Sequence, residues 1–214
     1  MALRWVLTAA HCVDVPTKDS EVAILVGTAS LLNGGRRISL VAGGIHIHEH
    51  YDYSTKNNDI ALLETSADLP GTPIAGWLAN DSENDGQDVR ITGWGALSWQ
   101  KSPPMSVMLQ AADPDPKIVN RKLCNGVDSY NNQVLNTMIC IGNWGTGQQD
   151  SCDRDSGGPA TSLIAGKRKL IGITSFGAQH CATPKKPGVY TRVSQFTKWV
   201  HDTSRNIINW TPAS

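Results

Sequence analysis

The chain has 214 residues, 40% of them apolar and 18% charged, and its 19 basic and 19 acidic side chains cancel. This composition belongs to a folded globular protein long enough for one large core or two small ones, and it excludes a disordered chain. The basic residues are scattered, so no stripe suits nucleic acid or a membrane surface, and no apolar run has the length of a bilayer span.

The opening ten residues carry one Arg and end on small residues, as a secretory leader would. Their apolar stretch is broken by Thr8 and is too short for a leader's core, so they read as a strand. Further strand-like runs follow at 22–26, 37–41, 59–63, 89–92, 107–111, 170–174 and 189–193. Turn residues separate them, as in Asn33-Gly34-Gly35, Leu69-Pro70-Gly71 and Pro187-Gly188. Many short strands between turns predict an all-β barrel or sandwich. One helix is expected at the C-terminus, where Val193, Phe196, Trp199 and Val200 fall on a single face. Residues 76–88, polar and glycine-containing, are the candidate crossover between halves. The five cysteines, Cys12, Cys124, Cys140, Cys152 and Cys181, allow two disulfides with one left over.

Three motifs carry chemistry. Thr8-Ala9-Ala10-His11-Cys12 puts a histidine after an apolar strand. Asn58-Asp59-Ile60-Ala61-Leu62-Leu63 puts a carboxylate at the head of another. Asp150-Ser151-Cys152-Asp153-Arg154-Asp155-Ser156-Gly157-Gly158-Pro159 offers a serine in a tight turn. Singly, each has a bland reading: a surface histidine, a capping aspartate, a loop. Together they supply what acyl transfer needs, a serine hydroxyl, a base to take its proton and a carboxylate to orient that base. The order His, Asp, Ser separates this arrangement from subtilisin-type and α/β-hydrolase triads.

With these motifs the sequence resembles the chymotrypsin/trypsin family of serine endopeptidases over nearly its whole length. Thr92-Gly93-Trp94-Gly95, Thr174-Ser175-Phe176-Gly177 and Pro187-Gly188-Val189-Tyr190-Thr191-Arg192-Val193 match as well. The resemblance implies an all-β fold of two antiparallel β-barrels with a C-terminal helix: residues 1–80 carrying His11 and Asp59, and residues 81–214 carrying Ser156. It makes His11 the base, Asp59 its orienting carboxylate and Ser156 the nucleophile, with the amides of Arg154 and Ser156 as the oxyanion hole. Asp150, with Ser151, becomes the base of a pocket for an Arg or Lys side chain. Gly177 and Gly188 become pocket walls, and Ser175 with the Gly177 backbone holds the substrate main chain. It pairs Cys152 with Cys181 and Cys124 with Cys140, and it makes Asp155 the acceptor of an α-amino group freed by activation. The expected partners are protein and peptide substrates cut after Arg or Lys, and protein protease inhibitors. The chain is expected to be a secreted, zymogen-derived monomer without cofactor.

Departures from the family pattern shape further expectations. No Ile-Val-Gly-Gly terminus occurs, so the resemblance implies an upstream segment that also supplies a partner for Cys12, and a zymogen-like pocket without it. Arg154 stands where the family has glycine, so its amide is expected to turn away from a conformation costly to any residue with a Cβ. Residues 27–50 lack paired carboxylates, so no calcium is expected there. His46, His48 and His50 alternate as metal ligands can, but no second shell is evident, so an exposed strand edge without metal is the better reading. Asn80-Asp81-Ser82 and Asn209-Trp210-Thr211 are glycosylation sequons. The rival function is a protease homologue that has become a binding or regulatory module.

Overall fold

The computed structural model describes residues 4–14, 17–70, 83–99, 104–113 and 116–204. Both sequons and most of the expected crossover lie outside the described residues.

The first sheet is built from β1 (Trp5–Thr8), β2 (Ala23–Val26), β3 (Arg36–Ile47) and β4 (Ala61–Thr65), in the order β1-β4-β3-β2. β4 is buried at four of its five positions because it has β1 on one side and β3 on the other. β3 runs 12 residues, past the expected end at residue 41, because the register shifts between Leu40 and Ile45 and Gly43 takes φ +71°. That irregularity bends the strand so that its two halves serve β2 and β4 in turn.

The second sheet holds β5 (Arg90–Gly93), β6 (Gln110–Ala112), β7 (Lys117–Val119), β8 (Met138–Gly142), β9 (Pro159–Ile164), β10 (Lys167–Phe176) and β11 (Gly188–Arg192). Their order is β6-β5-β9-β10-β11-β8-β7. All pairings in both sheets are antiparallel, and each sheet curls into a half-barrel, as in the chymotrypsin fold. Two short helices complete the described chain, α1 (Arg121–Cys124) and α2 (Thr197–Thr203). The C-terminal helix forms as expected, with Val193, Phe196 and Val200 buried, although its first turn is a 3-10 turn over Val193–Phe196.

The halves share a core. Ala9, Ile60 and Leu62 of the first pack with Leu170 and Ile173 of the second, and Val193, Phe196 and Val200 close over them. Separate clusters fill each half, Leu40, Ala61 and Leu63 in the first, Ile118, Ile141 and Ile171 in the second. Since His11 and Asp59 flank Ala9 and Ile60, the shared core sets the site's position. No helix among the described residues is long and apolar enough to cross a membrane.

The expectation of an exposed histidine edge is corrected here. His46 lies on β3, paired with Leu62, and leaves Nε2 buried without a hydrogen-bond partner, while its ring packs 5.5 Å from Trp5. His48 packs on Phe196 and Trp199 at centroid distances of 5.3 and 5.1 Å. Burial first of all holds its pKa below the ordinary histidine value. No group of three or more metal-ligating side chains occurs among the described residues.

Candidate active site

His11 lies in a three-residue 3-10 turn, Ala10–Cys12, directly after β1. Asp59, 1% exposed, lies just before β4. Because β1 and β4 are paired, their ends bring the two residues together. The His11 amide donates to Asp59 Oδ1 at 2.9 Å, and Nδ1 donates to Oδ2 at 2.7 Å. With Nδ1–H donated to the carboxylate, the ring in its neutral form presents Nε2 as the atom that can accept a proton.

The second half holds Asp59 from behind. Ser175 on β10 donates its hydroxyl to Asp59 Oδ2, and Thr191 on β11 donates to the Asp59 carbonyl at 2.6 Å. Burial would raise the Asp59 pKa, but the hydrogen bonds from His11 and Ser175 hold it below the ordinary range. Burial would lower the His11 pKa, but the Asp59 hydrogen bond, with a smaller contribution from Cys12, raises it instead. Each partner favours the charged form of the other.

Ser156 is exposed in the turn between Asp155 and β9. The next residue abuts the histidine turn: a Cβ on Gly157 would meet Thr8 Oγ1 at 2.3 Å and Cys12 Sγ at 3.1 Å. The side-chain contacts of His11 run to Asp59 and, at 3.8 Å from Nε2, to the exposed thiol of Cys12 rather than to Ser156.

Arg154 takes φ +73°, the left-handed region that glycine tolerates. The expected escape from that conformation does not occur, because flanking bonds fix the turn. The Asp155 and Gly158 amides donate to Cys152 O and Asp155 O, and that of Gly157 to Thr174 O. Among the described residues, the Arg154 and Ser156 amides have no such acceptor. The turn is also anchored through Asp155, whose carboxylate accepts from the Gly95 amide at 2.9 Å and the Cys152 amide at 3.0 Å. Gly93 and Gly95 make room for it, since a Cβ on Gly93 would fall 1.9 Å from Asp155 Oδ1.

Asp150 is half-buried beside Gly188, whose Cβ position is 2.8 Å from the carboxylate. Ser151 stands next to it, taking a hydrogen bond from the fully buried Tyr190 at 2.8 Å. Burial pushes the Asp150 pKa up to about 7 against the backbone hydrogen bonds of Ser151 and Gly188. Gly177 and Gly188 face each other, with 3.9 Å between the Cβ position of one and Cα of the other. Disulfide Cys152–Cys181 ties these loops together, and Cys124–Cys140 joins α1 to the middle of β8. Thr191 stood in a matching motif but without a role, and the structure shows it gripping the Asp59 backbone from 132 residues away.

Two half-barrels with a histidine–carboxylate pair on one and an exposed serine turn on the other define a serine hydrolase of the chymotrypsin fold. The sequence model of the family described as Trypsin matches residues 1–200. The chain is 36% identical over 202 residues to Trypsin Tyr p 3.0101 of Tyrophagus putrescentiae, covering 92% of this chain and 67% of that protein. It is 34% identical over 206 residues to Trypsin Blo t 3 of Blomia tropicalis, covering 94% and 73%. The chain belongs to the trypsin family and is a trypsin-like serine endopeptidase acting on proteins and peptides.

Proposed function

We propose that the enzyme cuts peptide bonds after Arg or Lys, through an acyl-enzyme on Ser156. His11 takes the serine proton at Nε2 and later gives it to the leaving amine, while Asp59 holds the ring and stabilises the imidazolium. The unengaged amides of Arg154 and Ser156 receive the oxyanion. Ser175 and the Gly177 backbone line up the substrate chain.

The observation that carries the specificity is Asp150. The groups acting on its carboxylate are the Ser151 and Gly188 amides, the Ser151 hydroxyl and the Asp155 charge, none of them a cation. A guanidinium or ammonium entering past the side-chain-free wall of Gly177 and Gly188 supplies the missing partner, whereas an apolar side chain leaves a buried charge unpaired. The two disulfides support an oxidising, extracellular setting. Turnover of matched peptides ending in Arg, Lys or Phe tests the reading, alongside fluorophosphonate labelling of Ser156. Labelling with Arg and Lys far ahead of Phe is expected. Equal rates for Phe and Arg would sink the specificity, and a folded chain that never labels would make it a binding homologue.

A further inference from the structure

Outside the residues already placed, three side chains join the turn carrying His11 to the loop carrying Asp59. Tyr51 Oη donates to Asp14 Oδ2 at 3.1 Å, and Lys56 Nζ donates to Tyr51 Oη at 3.3 Å. Asp14 stands three residues after His11, and Lys56 three residues before Asp59. Tyr51 comes from the segment between β3 and β4, where its amide donates to His48 O at 2.9 Å. A carboxylate, a phenol and an ammonium thus span the two segments that meet at the His11–Asp59 hydrogen bond.

The lysine end is held firmly. Its Nζ lies 3.7 Å from the centroid of the Tyr53 ring and 5.9 Å from that of Tyr51. Its backbone has φ +57°, and that of Asn58 φ +55°. Left-handed conformations at residues bearing a Cβ persist where surrounding contacts over-determine them. Burial first, then the Asp59 charge and the bond to Asp14, keep the Tyr51 phenol protonated and hence a donor. The histidine end needs such support, since the Ala10–Cys12 turn has three residues and no side-chain cap.

We propose that Asp14, Tyr51 and Lys56 are positioning residues that set the approach of the His11 turn to the Asp59 loop. Asp59 itself is gripped from the second half by Ser175 and Thr191, so the bridge acts chiefly on where His11 stands. This rests on the reading of His11 as the base, and the three side chains need touch no substrate. A displacement of about 1 Å at a catalytic group costs on the order of a hundredfold in rate.

The test uses the full chain and Tyr51→Phe, which keeps the ring and removes the hydroxyl. The His11 Nδ1 proton is followed by NMR against pH, a readout that needs no turnover, beside kcat, KM and fluorophosphonate labelling. Asp59 and Cys12 are the titratable groups acting on His11, and both stay in place. The His11 midpoint should fall by about half a pH unit or more as the Asp59 bond loosens. With a looser base, kcat should fall about 10–100-fold while KM stays within about twofold. Lys56→Met should reproduce part of this, and Lys56→Arg should restore it, because arginine still donates to the phenol. If Tyr51→Phe does not fold, Lys56→Met and Asp14→Ala, which removes the acceptor, give the same readout. Folded variants with an unchanged midpoint and kcat overturn the bridge. A shifted midpoint in a chain that never labels supports the bridge and removes the proteolytic reading instead.

Discussion

At φ +73° the Arg154 backbone occupies a region that costs a residue with a Cβ roughly 1–2 kcal/mol, and its exposed side chain gains little packing in return. Arg154→Gly removes that cost but gives the unfolded chain more freedom, so the net gain in stability should be up to about 1 kcal/mol. Urea unfolding at constant m-value reads it. Removing the long cation should also tighten rigid protein inhibitors, measured as a lower inhibition constant. Asp150 carries the opposite kind of strain. Its folded pKa is raised, so ionisation is disfavoured in the native state, and the stability cost sets in as pH rises from its ordinary 3.8 towards about 7. A cationic ligand binds the ionised form. Benzamidine affinity should therefore weaken about tenfold per pH unit on the acid side of that value. Asp150→Ser should abolish the pH dependence along with the preference for Arg and Lys. Calorimetry that finds benzamidine binding flat from about pH 5 to 8 would mean that Asp150 is ionised throughout and its pKa is not raised, whereas unchanged benzamidine affinity in Asp150→Ser would remove Asp150 from the pocket base.

The elements around the serine turn explain why the motif Thr92-Gly93-Trp94-Gly95 accompanies it. A Cβ on Gly95 would lie 2.4 Å from Asp155 Cγ, so Gly95→Ala must push the carboxylate away from the amides it binds. The expected result is loss of fluorophosphonate labelling in a chain whose far-ultraviolet circular dichroism is little changed. Retained labelling would show that the turn does not depend on Asp155. Legibility differed between such elements for physical reasons. β1, β4, β10 and β11 read as strands because apolar runs are bounded by turn residues. β8 was missed because Met138–Gly142 is buried at all five positions, and a continuous apolar run shows no alternation. β9 was not among the expected strands, because it begins at Pro159 and contains Thr161 and Ser162, whose burial comes only from lying between β5 and β10. The catalytic candidates were legible because each lies in a compact local motif. The Asp14–Tyr51–Lys56 bridge was not, because its bond from Tyr51 to Asp14 spans 37 residues and depends on the path of a loop.

At the scale of the molecule, the candidate site is split, with His11 and Asp59 on one half-barrel and Ser156 and Asp150 on the other. Its geometry therefore depends on the shared core more than on either internal core. Phe196 is 4% exposed in that shared cluster, on the segment that closes over both halves, and its ring meets His48 edge-on. Ile118 is 5% exposed but belongs to the cluster confined to the second half. Phe196→Ala should cost about 3–5 kcal/mol and Ile118→Ala about 2–5 kcal/mol, so global stability alone separates them poorly. The order of events in urea should separate them. In Phe196→Ala, loosening between the halves should abolish turnover at a lower urea concentration than tryptophan fluorescence reports unfolding. In Ile118→Ala the two transitions should coincide, because the interface is intact until the fold is lost. Coincident transitions in Phe196→Ala, at whatever stability, would mean that the halves are held together by something other than this core.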